Sequence, residues 1–209
     1  MTAVDPSTQV FWLASRALGI VALVLLSVSV SFGLAMSGRL LRRPGLPAKL
    51  KRYHEAATLV TVGLIAAHGG VLLLDGWLRP SLAGVTLPFA LGYRPFWTGL
   101  GVIGAWLALI LAGSFYVRRW IGPKTWRWLH RWTLAVYFLA LAHVIGAGTD
   151  GRSPWMLALL TALVAPNIFA LAYRMLPAAP RPAEARSPHA RPVSVVRARG
   201  SSTRLSRSR

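Results

Sequence analysis

The sequence contains no cysteine and only 5 acidic residues among 209. Without thiols there are no disulfides, zinc–thiolate sites, iron–sulfur clusters, thiol redox chemistry or covalent c-type haem attachment. Charge is also scarce. Charged residues make up 14% of the chain, against about a quarter in a soluble domain, while hydrophobic residues make up 55%. The length suits one domain. Against 5 acids stand 24 lysines and arginines, a formal net charge of +19. Such a balance suggests nucleic acid until the placement of the bases is considered.

The bases are segregated. Five apolar stretches lie between them: Phe11–Met36, Ala56–Trp77, Phe96–Val117, Trp128–Gly148 and Pro154–Leu176. Each has the roughly 20 residues a helix needs to cross about 30 Å of hydrocarbon. Runs of this length argue against a buried soluble bundle. Arg39, Arg42, Arg43, Lys49, Lys51 and Arg52 fill the first connection, and Arg118, Arg119, Lys124 and Arg127 the third. The chain after the fifth stretch carries nine arginines from Arg174 to Arg209. The N-terminus has Asp5 and no base before Arg16, and the second and fourth connections hold only Arg79, Arg94 and Arg152 with Asp75 and Asp150. Heavy and light connections alternate, as the positive-inside rule requires. Trp12, Trp77, Trp97, Trp120, Trp126 and Trp155 lie near segment ends, where interfacial belts form. The first stretch lacks a basic start and is too long for a cleavable signal.

The expected fold is therefore an all-α polytopic membrane bundle of five transmembrane helices in the cell membrane. Its N-terminus is expected outside and its C-terminus in the cytoplasm. Residues 1–10 form a short external segment, 11–176 the membrane domain, and 177–209 a cytoplasmic tail. That tail alternates Arg with Ser, Pro and Val, a composition of disorder. Its bases suit either attraction to anionic lipid or plain solvation. Nucleic acid is not expected as a partner, since no aromatic stacking platform accompanies the bases. His189, in the tail, is an ordinary exposed histidine.

The other four histidines carry the chemistry. His54 and His68 lie on the second stretch, and His130 and His143 at the fourth. Ionisable groups within a membrane are costly and usually face the bundle interior. Both stretches run in the same direction, so His54 and His130 share one depth and His68 and His143 another. Fourteen residues separate the first pair and thirteen the second, so the two levels stand about 20 Å apart. At about 100° per residue, fourteen steps return within about 40° of the starting face, whereas thirteen miss it by about 140°. The fourth segment therefore needs a bend, a long side-chain reach or a local change of pitch. Two imidazoles facing each other at one depth can ligate an iron from both sides. Two such pairs would stack two haems, with Gly63, Gly69 and Gly70 leaving room for a flat macrocycle. Interhelical hydrogen bonding is the bland alternative for a lone membrane histidine. The two levels are too far apart for one four-ligand zinc centre.

At these residues the chain resembles the ferric reductase-like transmembrane family. That family includes the membrane part of NADPH oxidases, the ferric reductases and the haem-binding subunit of the periplasmic methionine sulfoxide reductase system. The resemblance runs from about Phe11 to Arg174. It is strongest from Trp126-Arg127-Trp128-Leu129-His130-Arg131 through His143 to Gly148-Thr149-Asp150, and next over Tyr53-His54-Glu55-Ala56 through His68. A weaker echo is Ala14-Ser15-Arg16-Ala17-Leu18-Gly19. It implies two non-covalent b-type haems, the inner held by His54 and His130 and the outer by His68 and His143. Arg52, Arg127 and Arg131 would neutralise inner propionates, with plain positive-inside anchoring as the alternative. Arg16 would serve the outer haem, with snorkelling as its alternative.

The implied function is an oxidoreductase component. It is a di-haem b-type cytochrome moving electrons from a cytoplasmic or quinol donor to an extracytoplasmic ferric chelate, dioxygen or partner enzyme. Five helices are counted here, against the six usual for NADPH oxidases. No Gly-rich nucleotide fingerprint follows the membrane domain, so the donor is a separate flavoprotein, a quinol, or a bound flavin with no assignable residues. The alternatives are a non-redox assembly protein that keeps the fold, or a histidine-based proton carrier. The second is disfavoured because no Asp or Glu lies between Ala56 and Leu74 or between Arg131 and Thr149.

Overall fold

The computed structural model describes residues 9–37 and 45–176, all within one compact unit, Met1–Leu176. The expectations for residues 1–8, for Arg39, Arg42 and Arg43, and for the tail with its lipid contacts and His189 lie outside them. Among the described residues the chain is 82% helix with no strand. Seven helices follow in order: α1 Val10–Ser37, α2 Leu46–Leu72, α3 Leu82–Thr86, α4 Pro95–Ile121, α5 Pro123–His130, α6 Thr133–Ala147 and α7 Pro154–Met175. Five spans are long and apolar enough to cross a membrane, with α5 and α6 together forming one, Pro123–Ala147.

Local chemistry sets the helix ends. Proline opens α4, α5 and α7, where its missing N–H has no intrahelical partner to lose. Ser153 caps α7 by accepting from Met156 N. Between α4 and α5 stands Gly122 at φ 82°, ψ 150°, a conformation only glycine adopts readily.

The boundaries differ from the apolar stretches in an instructive way. The second helix starts at Leu46 rather than Ala56 and ends at Leu72 rather than Trp77. Hydropathy registers only the greasy part of a helix, and the basic turns from Ala48 to Glu55 are helical too. The fourth stretch is not one uniform helix: it breaks at Arg131–Trp132. There the amides of Arg131, Trp132, Leu134 and Ala135 each bond to the carbonyl three residues back. Such a 3₁₀ turn advances about 120° per residue instead of about 100°. Four residues so wound add about 80°, removing more than half of the 140° misalignment between His130 and His143. A change of pitch is thus one of the means by which the two rings come to one side.

Helix α1 is the hub, packing against α2, α6 and α7, while α4 packs against α5, α6 and α2. Leu23, Val30 and Leu34 of α1 meet Tyr137 and Leu141 of α6 and Met156 and Leu160 of α7 in the apolar core. A polar knot pins the same three helices. Asn167 donates to Ser27 O (3.3 Å), the Tyr137 hydroxyl (3.3 Å) and Leu163 O (3.0 Å). It also accepts from the Ser31 hydroxyl at 2.8 Å. Asn167 is only 4% exposed, so its truncation strands several polar groups away from water. Asn167→Ala is expected to lower stability by about 1–2 kcal/mol. Thermal unfolding in detergent measures this, and an unchanged midpoint would show the knot to be idle.

Candidate functional site

Helices α1 and α2 run antiparallel, and their contacts place two histidines at two levels. At one level the His54 Nδ1–H donates to Ser29 O at 2.8 Å. At the other the His68 Nδ1–H donates to Ser15 O at 2.7 Å. The hydroxyls of Ser29 and Ser15 lie 3.0 Å from the same nitrogens. On the opposite side of the bundle the His143 Nδ1–H donates to Trp97 O of α4 at 3.0 Å. A carbonyl can only accept, so in all three rings Nδ1 carries the proton, and in the neutral ring Nε2 then keeps its lone pair.

One local rule explains how three imidazoles reach carbonyls already used inside a helix. Each accepting carbonyl has glycine four residues on: Ser15 with Gly19, Ser29 with Gly33, and Trp97 with Gly101. A Cβ on Gly101 would lie 2.5 Å from His143 Nδ1, one on Gly19 3.0 Å from His68 Nδ1, and one on Gly33 3.5 Å from His54 Cε1. At Gly101, and nearly so at Gly19, the absent side chain is the space the ring occupies, whereas at Gly33 a Cβ would make ordinary contact with the ring. On α1 the Ser-x-x-x-Gly unit recurs after fourteen residues, the same interval that separates His54 from His68 on the antiparallel partner.

The structure brings the four histidines together in the expected pairs. The ring centres of His54 and His130 are 5.9 Å apart with planes at 85°. Those of His68 and His143 are 6.2 Å apart at 80°. Among the described residues no three His, Cys, Asp or Glu side chains gather as one metal centre. His130 is held differently from the others: it stacks on Trp126 with ring centres 5.0 Å apart. The Trp126 indole N–H is buried without a hydrogen-bond partner.

Beside His68 and His143 lies a cavity of about 280 Å³. Arg16 and Asp150 are among its lining residues and form an ion pair. The Arg16 guanidinium also lies 5.4 Å from the Trp12 ring centre and 5.9 Å from that of Trp155. Arg16 is thus engaged with an acid and two aromatic rings of the protein. Arg52, Arg127 and Arg131 are exposed. Gly63, Gly69 and Gly70 would tolerate a Cβ, with nothing within 4 Å. The close approaches to a histidine ring fall instead on Gly19 and Gly101 of the neighbouring helices, with Gly33 in ordinary contact. Sequence reasoning missed those positions, although the repeated Ser-x-x-x-Gly of α1 was a visible signal.

A bis-imidazole iron site can be tested against these distances. A metal–imidazole bond of about 2.0–2.1 Å on each side, with about 1.1 Å from each nitrogen to its ring centre, requires a separation of about 6.3 Å. Both pairs come within a few tenths of an ångström of this value. Tying the distal nitrogen of a ligating imidazole to a carbonyl is also the usual way to fix its tautomer and orientation. The residues fit the group.

The chain belongs to the family of the ferric reductase like transmembrane component, whose family model matches residues 18–141, more than half of the chain. The match takes in His54, His68 and His130 with Gly19, Gly33 and Gly101, and ends two residues before His143. No curated protein and no solved structure matches the chain. The family and the five apolar spans make this a multi-pass membrane protein. Domains of this kind typically bind haem and generally work with a separate reductase or flavoprotein. Membrane electron transfer is the work to which membership points.

Proposed function

We propose that this chain is a di-haem b-type electron relay spanning the cell membrane. His54 and His130 hold the inner haem and His68 and His143 the outer, and an electron entering from a cytoplasmic or quinol donor leaves to an extracytoplasmic acceptor. The supporting observation is the two-level facing of imidazole rings, three of them with Nδ1 bound to a carbonyl and Nε2 left as the ligating atom. Haem supplies the reversible one-electron iron couple. The chain's own groups set its surroundings. Ser15, Ser29 and Trp97 orient three of the ligands through their carbonyls. Arg131, next to His130, offers charge to inner carboxylates. Arg16, which lines the outer cavity and pairs with Asp150, offers it to outer ones. The largely apolar lining that α1, α4 and α6 give the outer cavity limits water at the His68–His143 level.

The orientation follows the basic connections, which place the His54–His130 level toward the cytoplasm. Proteoliposomes provide the test. A quinol or a reduced flavin system is expected to reduce the b-type absorbance, and an external acceptor to reoxidise it. Haem that binds but cannot be reduced by either donor would favour the non-redox assembly role.

A further inference from the structure

We propose that Trp126 is the positioning residue of the inner level. Its indole face does for His130 what a backbone carbonyl does for the other three histidines, and its N–H is the donor for a carboxylate of the group held there. The inference rests on the di-haem reading and adds to it a residue to which neither the basic connections nor the histidine spacing points.

His130 is the exception among the four rings. His54, His68 and His143 each donate to a carbonyl, whereas the His130 side chain makes no hydrogen bond among the described residues. The reason lies on α4. At the outer level α4 supplies Trp97 O, with Gly101 one turn on. Between His130 and His143, nine residues of α-helix and four of 3₁₀ turn climb about 21 Å, the rise of fourteen residues on α4. The inner counterparts of Trp97 and Gly101 are therefore Leu111 and Phe115. Leu111 O already accepts the Ser114 hydroxyl at 2.6 Å, and Phe115 puts a ring where glycine would leave room. A register one residue shorter brings Ser114 to the glycine position and opens no more space.

Phe115 meets Trp126 instead, with ring centres 6.1 Å apart and planes at 64°. The Arg118 guanidinium lies 3.8 Å from the Phe115 ring centre. Trp126 stands four residues before His130 on α5, so both project from one face of the helix. Their rings stack at 5.0 Å with planes 22° apart. A stack restrains the plane of an imidazole but, unlike a carbonyl, does not fix its tautomer. The inner level is thus built with one carbonyl-bound ligand and one stacked ligand, the outer with two carbonyl-bound ligands.

The other edge of the indole supplies the second half of the inference. The Trp126 N–H is buried with no partner among the described residues, and an unpaired buried donor is costly. Indole can only donate, so what it lacks is an acceptor. Beside His130 the acceptor of matching chemistry is a haem propionate, since bonds to a charged oxygen are the strong ones. Arg127 and Arg131 are exposed and bring charge through solvent, whereas Trp126 brings a dry bond. A lipid phosphate is the other anionic acceptor near this depth.

Electron paramagnetic resonance and resonance Raman spectra of the oxidised full-length protein test both halves, the inner signal being the one that survives His143→Ala. W126F keeps an aromatic face and loses the N–H. It is expected to retain both haems and both low-spin signals, with one propionate bending band shifted. That shift is expected equally in lipid nanodiscs and in maltoside micelles, which hold no phosphate. W126L loses the face as well. It is expected to shift the largest g-value of the inner signal, to weaken inner-haem binding about tenfold, and to leave the outer signal as it is. A tryptophan that merely filled space would move neither the g-value nor the propionate band. Should W126L fail to assemble, F115L, which loosens Trp126 in place, reads the same contact. An inner signal of wild-type shape in W126L or F115L overturns the positioning role. An unshifted propionate band in W126F, or a shift seen only in lipid, overturns the carboxylate bond. A wild-type chain without b-type absorbance refutes the di-haem reading and this inference with it, whereas two haems with spectra indifferent to Trp126 refute the inference alone.

Discussion

His143→Ala is expected to halve the haem content of the purified protein, leaving the inner haem with an unchanged spectrum. His68→Ala is expected to do the same. The levels are independent because His54 and His68 are separated by fourteen residues of one helix, about 21 Å of rise. Each has its own carbonyl, Ser29 O or Ser15 O. With one imidazole removed, a haem iron would keep only the opposite ring, and no histidine other than His68 and His143 lines the cavity. The double variant His68→Ala with His143→Ala should resemble either single one, since both act on one group. Full haem retention in the double variant would remove the outer level from the account.

Gly101→Ala is expected to act nearly as strongly, although glycine has no chemistry of its own. The new methyl would stand 2.5 Å from His143 Nδ1 and 2.8 Å from two of its ring carbons, far inside van der Waals contact. The ring must leave Trp97 O or swing away from His68. Disturbing an outer-shell partner of a metal ligand typically costs about 10–100-fold in affinity. Gly113→Ala on the same helix is the matched control, because nothing lies within 4 Å of its Cβ position. That change should leave haem binding untouched and favour the helix by up to about 1 kcal/mol. Haem titration of the two variants separates the effects. Equal affinities would mean that the ring does not depend on Gly101.

Much of this arrangement was legible in the residues. The alternation of basic and neutral connections marked five crossings, and the histidines on alternate segments marked two levels. What hydropathy could not show was structure made of backbone. The polar first turns of α2 are helical because their sequence is compatible with helix, not because it is greasy. The 3₁₀ turn at Arg131–Trp132 leaves no apolar signature, yet it removes more than half of the misalignment that the thirteen-residue spacing imposes. The glycines beside His68 drew attention by proximity in sequence. The glycines beside the accepting carbonyls were Gly19, Gly33 and Gly101, each one turn beyond a carbonyl on another helix, and of these Gly19 and Gly101 crowd a ring. Their signal lay in comparing the interval of Ser15 and Ser29 with that of His68 and His54, a match across two helices that no single-helix pattern contains. The bond from Trp97 to His143 had no sequence signal, because any residue supplies a carbonyl.

The most direct test of the central claim is the ratio of haem to protein in the purified full-length chain, read by pyridine haemochrome against quantitative amino-acid analysis. Two non-covalent b-type haems per chain are expected, falling to one when either member of a pair is replaced. A ratio of zero, or of one that survives replacement of His68 and His143 as well as of His54 and His130, would contradict the two-level site.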